Sequence, residues 1–161
     1  MPGRPAIRPI GAQEVDRYRR VRLAALTDAP SAFTATLAEA LALPPATWVD
    51  QVHSSVDGES VIVVADSGAP GLVGLAVGIP WGERARVVSV WVDPAWRGGG
   101  IARRMIEAVC AWAARSGYGH AQIETAVANP GPQRLYEDLG FRPVDERPPA
   151  GCGVILVRPL P

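Results

Sequence analysis

Hydrophobic positions along the chain change period several times, and each change marks an element. Between Gln13 and Thr27, Val15, Tyr18, Val21, Ala25 and Leu26 recur at three- and four-residue steps, the spacing of an amphipathic helix. Asp28-Ala-Pro-Ser interrupts that pattern. Pro44-Pro45 opens a second helical stretch, roughly Ala46 to Ser54, since proline is tolerated in a first turn. Ser60 to Ala65 is β-branched and predicts a strand; Asp66-Ser-Gly-Ala-Pro-Gly is a turn, and Leu72 to Ile79 returns as the second arm of a hairpin. Arg84 to Asp93, with Val87, Val88, Val90 and Val92, predicts a further strand. After three glycines a helix runs to about Ser116, with Ile101, Met105, Val109 and Trp112 on one face and Gly117-Tyr-Gly at its end. Gln122 to Val127 is a strand, Pro132 to Leu139 a short helix stopped by Gly140, and Phe141 to Val144 and Gly153 to Arg158 two closing strands. Ala6 to Ile10 supplies a short first strand. This order predicts a mixed α/β sheet with two strand–helix–strand crossovers in its second half.

Composition narrows the class. The 161 residues suffice for one domain, 1–161, with a proper core. Sixteen basic and sixteen acidic side chains cancel, so no broad field draws the protein to nucleic acid or an anionic membrane. The cluster Arg17, Arg19, Arg20 and Arg22 reads as a solvated helix face. No apolar run reaches the length of a membrane span, and Met1-Pro-Gly-Arg-Pro is followed by no apolar signal core, which favours the cytoplasm. Cys110 sits among apolar helix positions and reads as core, Cys152 as a thiol in a glycine turn; with His53 and His120 far apart, no metal-ligand spacing arises.

The candidate chemistry lies at Arg97-Gly98-Gly99-Gly100-Ile101-Ala102, between a buried strand and a helix. A helix start leaves backbone N–H groups without partners and carries partial positive charge. Glycines there let a phosphate approach those donors, and Arg97 adds a full charge, so a diphosphate is the natural occupant. A P-loop needs Lys-Ser/Thr where Ile101-Ala102 stand. A dinucleotide fingerprint needs a third small residue where Arg103 stands, and comes early in a chain. A ligand-free glycine connection costs unfolded-chain entropy with no offsetting contact.

The stretch Val90-Trp-Val-Asp-Pro-Ala-Trp-Arg-Gly-Gly-Gly-Ile-Ala102 resembles the acyl-CoA signature of the GNAT superfamily of N-acetyltransferases, Arg/Gln-x-x-Gly-x-Gly/Ala, matched at Arg97, Gly100 and Ala102. A second block, Asn129 to Phe141, is similar to that family's Asn-x-x-Ala-x-x-Leu-Tyr-x-x-x-Gly-Phe, in register at Asn129, Leu135, Tyr136, Gly140 and Phe141, with Pro132 replacing the alanine. Leu23 to Phe33 is similar to one bacterial branch, so the resemblance covers nearly the whole chain.

It implies a mostly antiparallel mixed sheet of about six or seven strands, splayed at its centre and flanked by about four helices. It implies an acetyl group moved from acetyl-CoA to a primary amine in one ternary complex, with no metal. The pyrophosphate would rest on the N–H groups of Gly98, Gly99, Gly100, Ile101 and Ala102 beside Arg97. The pantetheine arm would pair with backbone at Val90 and Val92, next to a bulge near Trp91 whose freed N–H polarises the acetyl carbonyl. Asn129 would steady the cofactor and Tyr136 would protonate the departing sulfur. For the base, Glu83 ranks first, at the start of the strand leading to the acetyl site, ahead of Glu124 on the neighbouring strand. Trp81, Trp91 and Trp96 are candidates for lining the acceptor pocket. The acceptor stays open, small molecule or peptide, and the family's habit of pairing allows a homodimer. A larger acyl group, or a non-catalytic acyl-CoA-binding module, are the alternative readings.

Overall fold

The computed structural model describes residues 3–125, 130–148 and 153–161, and those residues form a seven-stranded mixed sheet with helices on both faces. The first half is an antiparallel meander joined through helices: β1 (Ala6–Pro9), α1 (Val15–Asp28), α2 (Leu37–Leu41), α3 (Pro45–Val56), β2 (Val61–Asp66), β3 (Gly74–Trp81) and β4 (Arg84–Val92). The second half crosses over through α4 (Ile101–Arg115) to β5 (His120–Thr125). It then closes with α5 (Pro130–Asp138), β6 (Arg142–Pro143) and β7 (Val154–Pro159). Strand order is β1-β2-β3-β4-β5-β7-β6, with β4 and β5 as the one parallel pair among the described residues. The sheet and its crossovers follow the sequence expectation. α2 does not: the hydrophobic pattern gives no sign of its five residues, and a capping box at Thr36 and Glu39 starts it.

Each face of the sheet has its own core because successive strand residues point to opposite sides. Val61, Val63 and Ala65 of β2 pack toward α4, whereas Ile62 and Val64 pack toward α1 and α3. Helix α4 buries Met105, Ile106 and Val109 completely, each worth about 1.5–3 kcal/mol of transfer free energy. It lies close because β3 presents Gly74 and Gly78 beneath it. A Cβ on Gly78 would stand 2.7 Å from Val109 Cγ1 and 2.9 Å from Trp112 Cζ3. On the far edge, Arg8 and Arg17 bridge Glu14 and Asp66, tying β1, α1 and β2 together.

Two irregularities of β4 position everything that follows. Opposite β3, Leu75 faces Trp91 and Val77 faces Val88, so Ser89 and Val90 share a single partner position. This is a β-bulge, and Ser89 accommodates it with φ of 57°, the one non-glycine positive φ among the described residues. The extra residue shifts the side-chain phase by one. Ala85 and Val87 face α4, then Val90 and Val92 do, while Trp91 turns toward α1. The second irregularity is on the other side. Pairing with β5 ends at Val87 and Ile123, and β5 continues through Glu124 and Thr125 with β7 alone. The two central strands therefore separate directly beside the bulge.

Candidate active site

A cavity of about 540 Å³ opens where β4 has lost its partner and α4 begins. Val90, Trp91 and Val92 form its strand wall, Arg97, Gly98, Gly100, Ile101 and Ala102 its loop wall, and Pro132, Leu135 and Tyr136 of α5 its third side. Gly99 lies within the loop between two lining residues.

The loop is shaped by glycine. Gly98 and Gly100 hold φ of 85° and 79°, a left-handed backbone that other residues adopt only at a cost. No atom stands within 4 Å of where a Cβ on either would project. Gly100 is also the N-cap of α4 and offers no side chain to the first-turn donors. No acceptor among the described residues takes the N–H groups of Gly98 to Arg103. Six consecutive donors at a helix entrance, on a backbone bare enough to be approached, fit a diphosphate. Arg97 is anchored beside them: its Nε donates to the Val92 carbonyl at 2.9 Å, and its Nη2 pairs with Asp28. Asp28 also accepts from the Trp91 indole at 2.9 Å, and these two bonds hold its carboxyl below the usual range.

Tyr136 brings a phenol to the third side of the cavity. Its ring is 8% exposed, packed edge-on against Phe141 with centroids 6.5 Å apart. Burial raises its pKa above the ordinary phenol value, so the hydroxyl keeps its proton at neutral pH. Helix α5 carries Pro132 in its first turn, where no intrahelical donor is required, and this substitution leaves the helix intact.

The acetyltransferase (GNAT) family model matches residues 25–141, which span the bulged strand, the glycine loop, α4 and the Tyr136 helix. The chain belongs to the GNAT family of acetyltransferases. Solved structures share its fold over nearly full length. YncA from Salmonella typhimurium, solved with its cofactor acetyl-CoA, superposes with a TM-score of 0.78 at 16% identity over 99% of this chain and 95% of that one. The phosphinothricin acetyltransferase from Sinorhizobium meliloti, in complex with acetyl-CoA, gives 0.78 at 15% identity over 98% and 89%. The PaiA N-acetyltransferase from Thermoplasma acidophilum, in complex with coenzyme A, gives 0.77 at 12% identity over 96% and 98%. No curated protein sequence gives a significant match.

Within this GNAT domain the structure gathers most, but not all, of the residues singled out from the sequence. Asn129 lies outside the described residues, as does Cys152. The bulge falls at Ser89 and Val90, immediately before Trp91, where the resemblance implies it. Glu83 is not at the site. It occupies the exposed two-residue turn between β3 and β4, seven positions before Val90, which at strand rise is about 23 Å away. Its neighbours line a separate surface hollow with Arg84, Gln122 and Glu146. Trp81 is at that same end, 40% exposed and stacked on Arg86, whereas Trp91 and Trp96 do line the large cavity.

Glu124 is placed differently. It faces the gap between the splayed strands, in a smaller cavity of about 250 Å³ that also contains Arg22, Phe33, Arg86, Ser89 and Thr125. Ala32 lines both cavities, and Ser89 and Val90 stand side by side between them. Glu124 Oε2 pairs with Arg86, while Oε1 is enclosed with no hydrogen-bond partner. The expectation that the arginines of α1 form one solvated face is corrected here. Arg17 belongs to the Glu14–Asp66 network, and Arg22 turns inward to this cavity, donating to Ser89 Oγ at 2.9 Å. Cys110 is 3% exposed with its thiol pushed up to about 11 by burial, a core residue. His53 and His120 are exposed. Among the described residues no group of three or more His, Cys, Asp or Glu could hold a metal ion, and no helix is long and apolar enough to cross a membrane.

Proposed function

We propose that this domain, spanning residues 1–161, transfers an acetyl group from acetyl-CoA to a primary amine within a ternary complex. The observation that carries the reading is the continuity of one cavity from six unpartnered N–H groups, past the unpaired edge of β4, to the hydroxyl-bearing face of Tyr136. That sequence of features suits a long ligand with a diphosphate at one end and a reacting thioester at the other.

Acetyl-CoA supplies an activated acyl carbon on a good leaving group. Gly98 to Ala102 bind its diphosphate through backbone donors, with Arg97 adding charge. Val90 and Val92 present backbone groups that β5 does not use, available to pair with an extended arm as a further strand would. The bulge leaves backbone of the Ser89–Val90 pair outside the regular ladder, where an N–H can stabilise charge developing on a carbonyl oxygen. In the transfer the amine nitrogen bonds the acyl carbon as the carbon–sulfur bond breaks. One proton leaves the ammonium before attack; Tyr136 gives its proton to the departing sulfur, and the second proton that leaves nitrogen after attack restores the phenol. The first proton departs toward the gap that Glu124 faces, directly or through water, because Glu83 is remote from it. Holding both reactants together supplies much of the acceleration.

The experiment is acetyl-CoA with a panel of amines, read by free thiol release and by mass of the acetylated amine. Thiol release that matches product sustains the reading. CoA binding without release on any amine would favour a non-catalytic acyl-CoA-binding module, and a preference for propionyl-CoA or longer donors would favour transfer of a larger acyl group.

A further inference from the structure

The second cavity contains a charge that the transfer does not explain. Arg22 takes part in none of the ion pairs among the described residues, and no residue outside them in the chain is acidic. Its guanidinium is half-buried, held by the Ser89 hydroxyl and stacked 5.0 Å over the Phe33 ring. Burial without a counter-charge is unfavourable and lowers its pKa. In the same cavity the charges of Arg86 and Glu124 cancel in an ion pair, so Arg22 leaves one positive charge in excess. That excess sits on the bulge residue itself, next to the unpaired edge where the acyl group is expected.

Arg22 and Ser89 also border a third cavity, of about 330 Å³, on the α1 and α3 side of the sheet. Its walls are chiefly apolar, from Ala40, Leu43, Trp48, Val77 and Val88. The molecule that meets these surfaces together has an amine, an anionic group one or two bonds away and an apolar side chain.

We infer that the acceptor is a free α-amino acid with an apolar side chain, its carboxylate paired to Arg22, its amino group at the Ser89–Val90 bulge and its side chain in the cavity beneath Trp48. This rests on the transferase reading and sharpens it. A guanidinium fork matches a carboxylate in two parallel hydrogen bonds. A polyamine would instead bring further positive charge to a cavity already carrying an excess of it.

The test compares leucine, leucinamide and 3-methylbutylamine, which share a side chain and differ in the carboxylate. Binding to the CoA-loaded protein is measured by calorimetry or ligand-observed NMR, and kcat/KM by thiol release. Leucine should exceed both analogues by about ten- to hundredfold, the range of a hydrogen-bonded charge pair. Arg22→Gln should bring the three within about threefold of one another, and Arg22→Lys, which keeps charge but not the fork, should retain part of the preference. Equal binding of leucine and leucinamide by the unaltered protein, or a preference that survives in Arg22→Gln, overturns the assignment. If leucine does not bind while other amines are acetylated, the amino acid assignment falls and the transferase stands. If leucine binds through Arg22 but no amine accepts an acetyl group, the carboxylate site stands and the transferase reading falls.

Discussion

Replacing Gly100 with aspartate tests whether the glycine loop is a diphosphate cradle. Gly100 has φ of 79° and ψ of 13°, and nothing lies within 4 Å of its missing Cβ. The fold therefore loses only the cost of a left-handed residue, about 1–2 kcal/mol and less for Asp or Asn, or about 3 °C in Tm for a chain this size. The effect on the ligand is larger. A carboxylate about 4 Å from a phosphate charge is repelled by about 1 kcal/mol in bulk water and about 4 kcal/mol at an effective dielectric of 20. The loop is exposed on one side and walled by β4 and α5 on the others, so the value falls between those limits. Coenzyme A affinity should drop roughly 10²-fold relative to Gly100→Asn, which has the same shape, the same tolerance of positive φ and no charge. Gly58→Asp, with φ of 86° and equal clearance at the end of α3, supplies the matched stability control. Calorimetry with coenzyme A at low and high salt is the assay, because charge repulsion must shrink as salt rises. Equal affinity in the Asp and Asn variants, both folded, would refute the cradle.

Three further outcomes follow from the structure. Tyr136→Phe keeps the buried ring and removes the hydroxyl, so kcat should fall by about 10²–10⁴-fold with acetyl-CoA affinity within twofold; an unchanged kcat returns Tyr136 to packing. Gly78→Ala drives a methyl into Val109 and Trp112 and should cost about 1–3 kcal/mol of overpacking, read as a lower urea midpoint, whereas an unchanged midpoint would show that α4 shifts freely. Glu14 is held down at about 2, first by hydrogen bonds from Arg8, so its stabilisation is present above its ordinary pKa near 4.5 and is lost as pH falls toward 2. Glu14→Gln should accordingly lower the urea midpoint at pH 7 and flatten its decline between about pH 5 and pH 2; a parallel curve would remove Glu14 from the acid transition.

What could be read from sequence was what depends on local pattern. β2, β4 and α4 carry their periodicities plainly, and the glycine loop announces itself by residues that no helix entrance needs for stability. Less was legible where position depends on pairing. Glu83 immediately precedes a nine-residue strand; the strand's length alone separates it from the site, but which end is useful depends on β5 leaving at Val87. Arg22 belongs in sequence terms to the arginine cluster of α1, three residues from Arg19, and only the bulge at Ser89 gives it an inward partner. Helix α2 did have a readable signal, Thr36-x-x-Glu39, in a segment whose hydrophobic residues are too few to show a period.

The bulge and the splay act together as one device. A regular β4 would have continued pairing with β5, used its own backbone donors and kept its side-chain phase, and no cavity would lie between the central strands. Inserting Ser89 turns Val90 and Val92 to the α4 face and Trp91 to the α1 face, where its indole meets Asp28 and, through it, Arg97. One extra residue thus connects the unpaired strand edge to the cation at the mouth of the glycine loop. It also brings a hydroxyl to Arg22 on the opposite side of the sheet. The two halves of the proposed reaction, donor and acceptor, are therefore positioned by the same backbone irregularity. Substitutions at Ser89 that remove the positive φ should consequently disturb coenzyme A affinity and acceptor selectivity at once, a coupling that two independently built sites would not show.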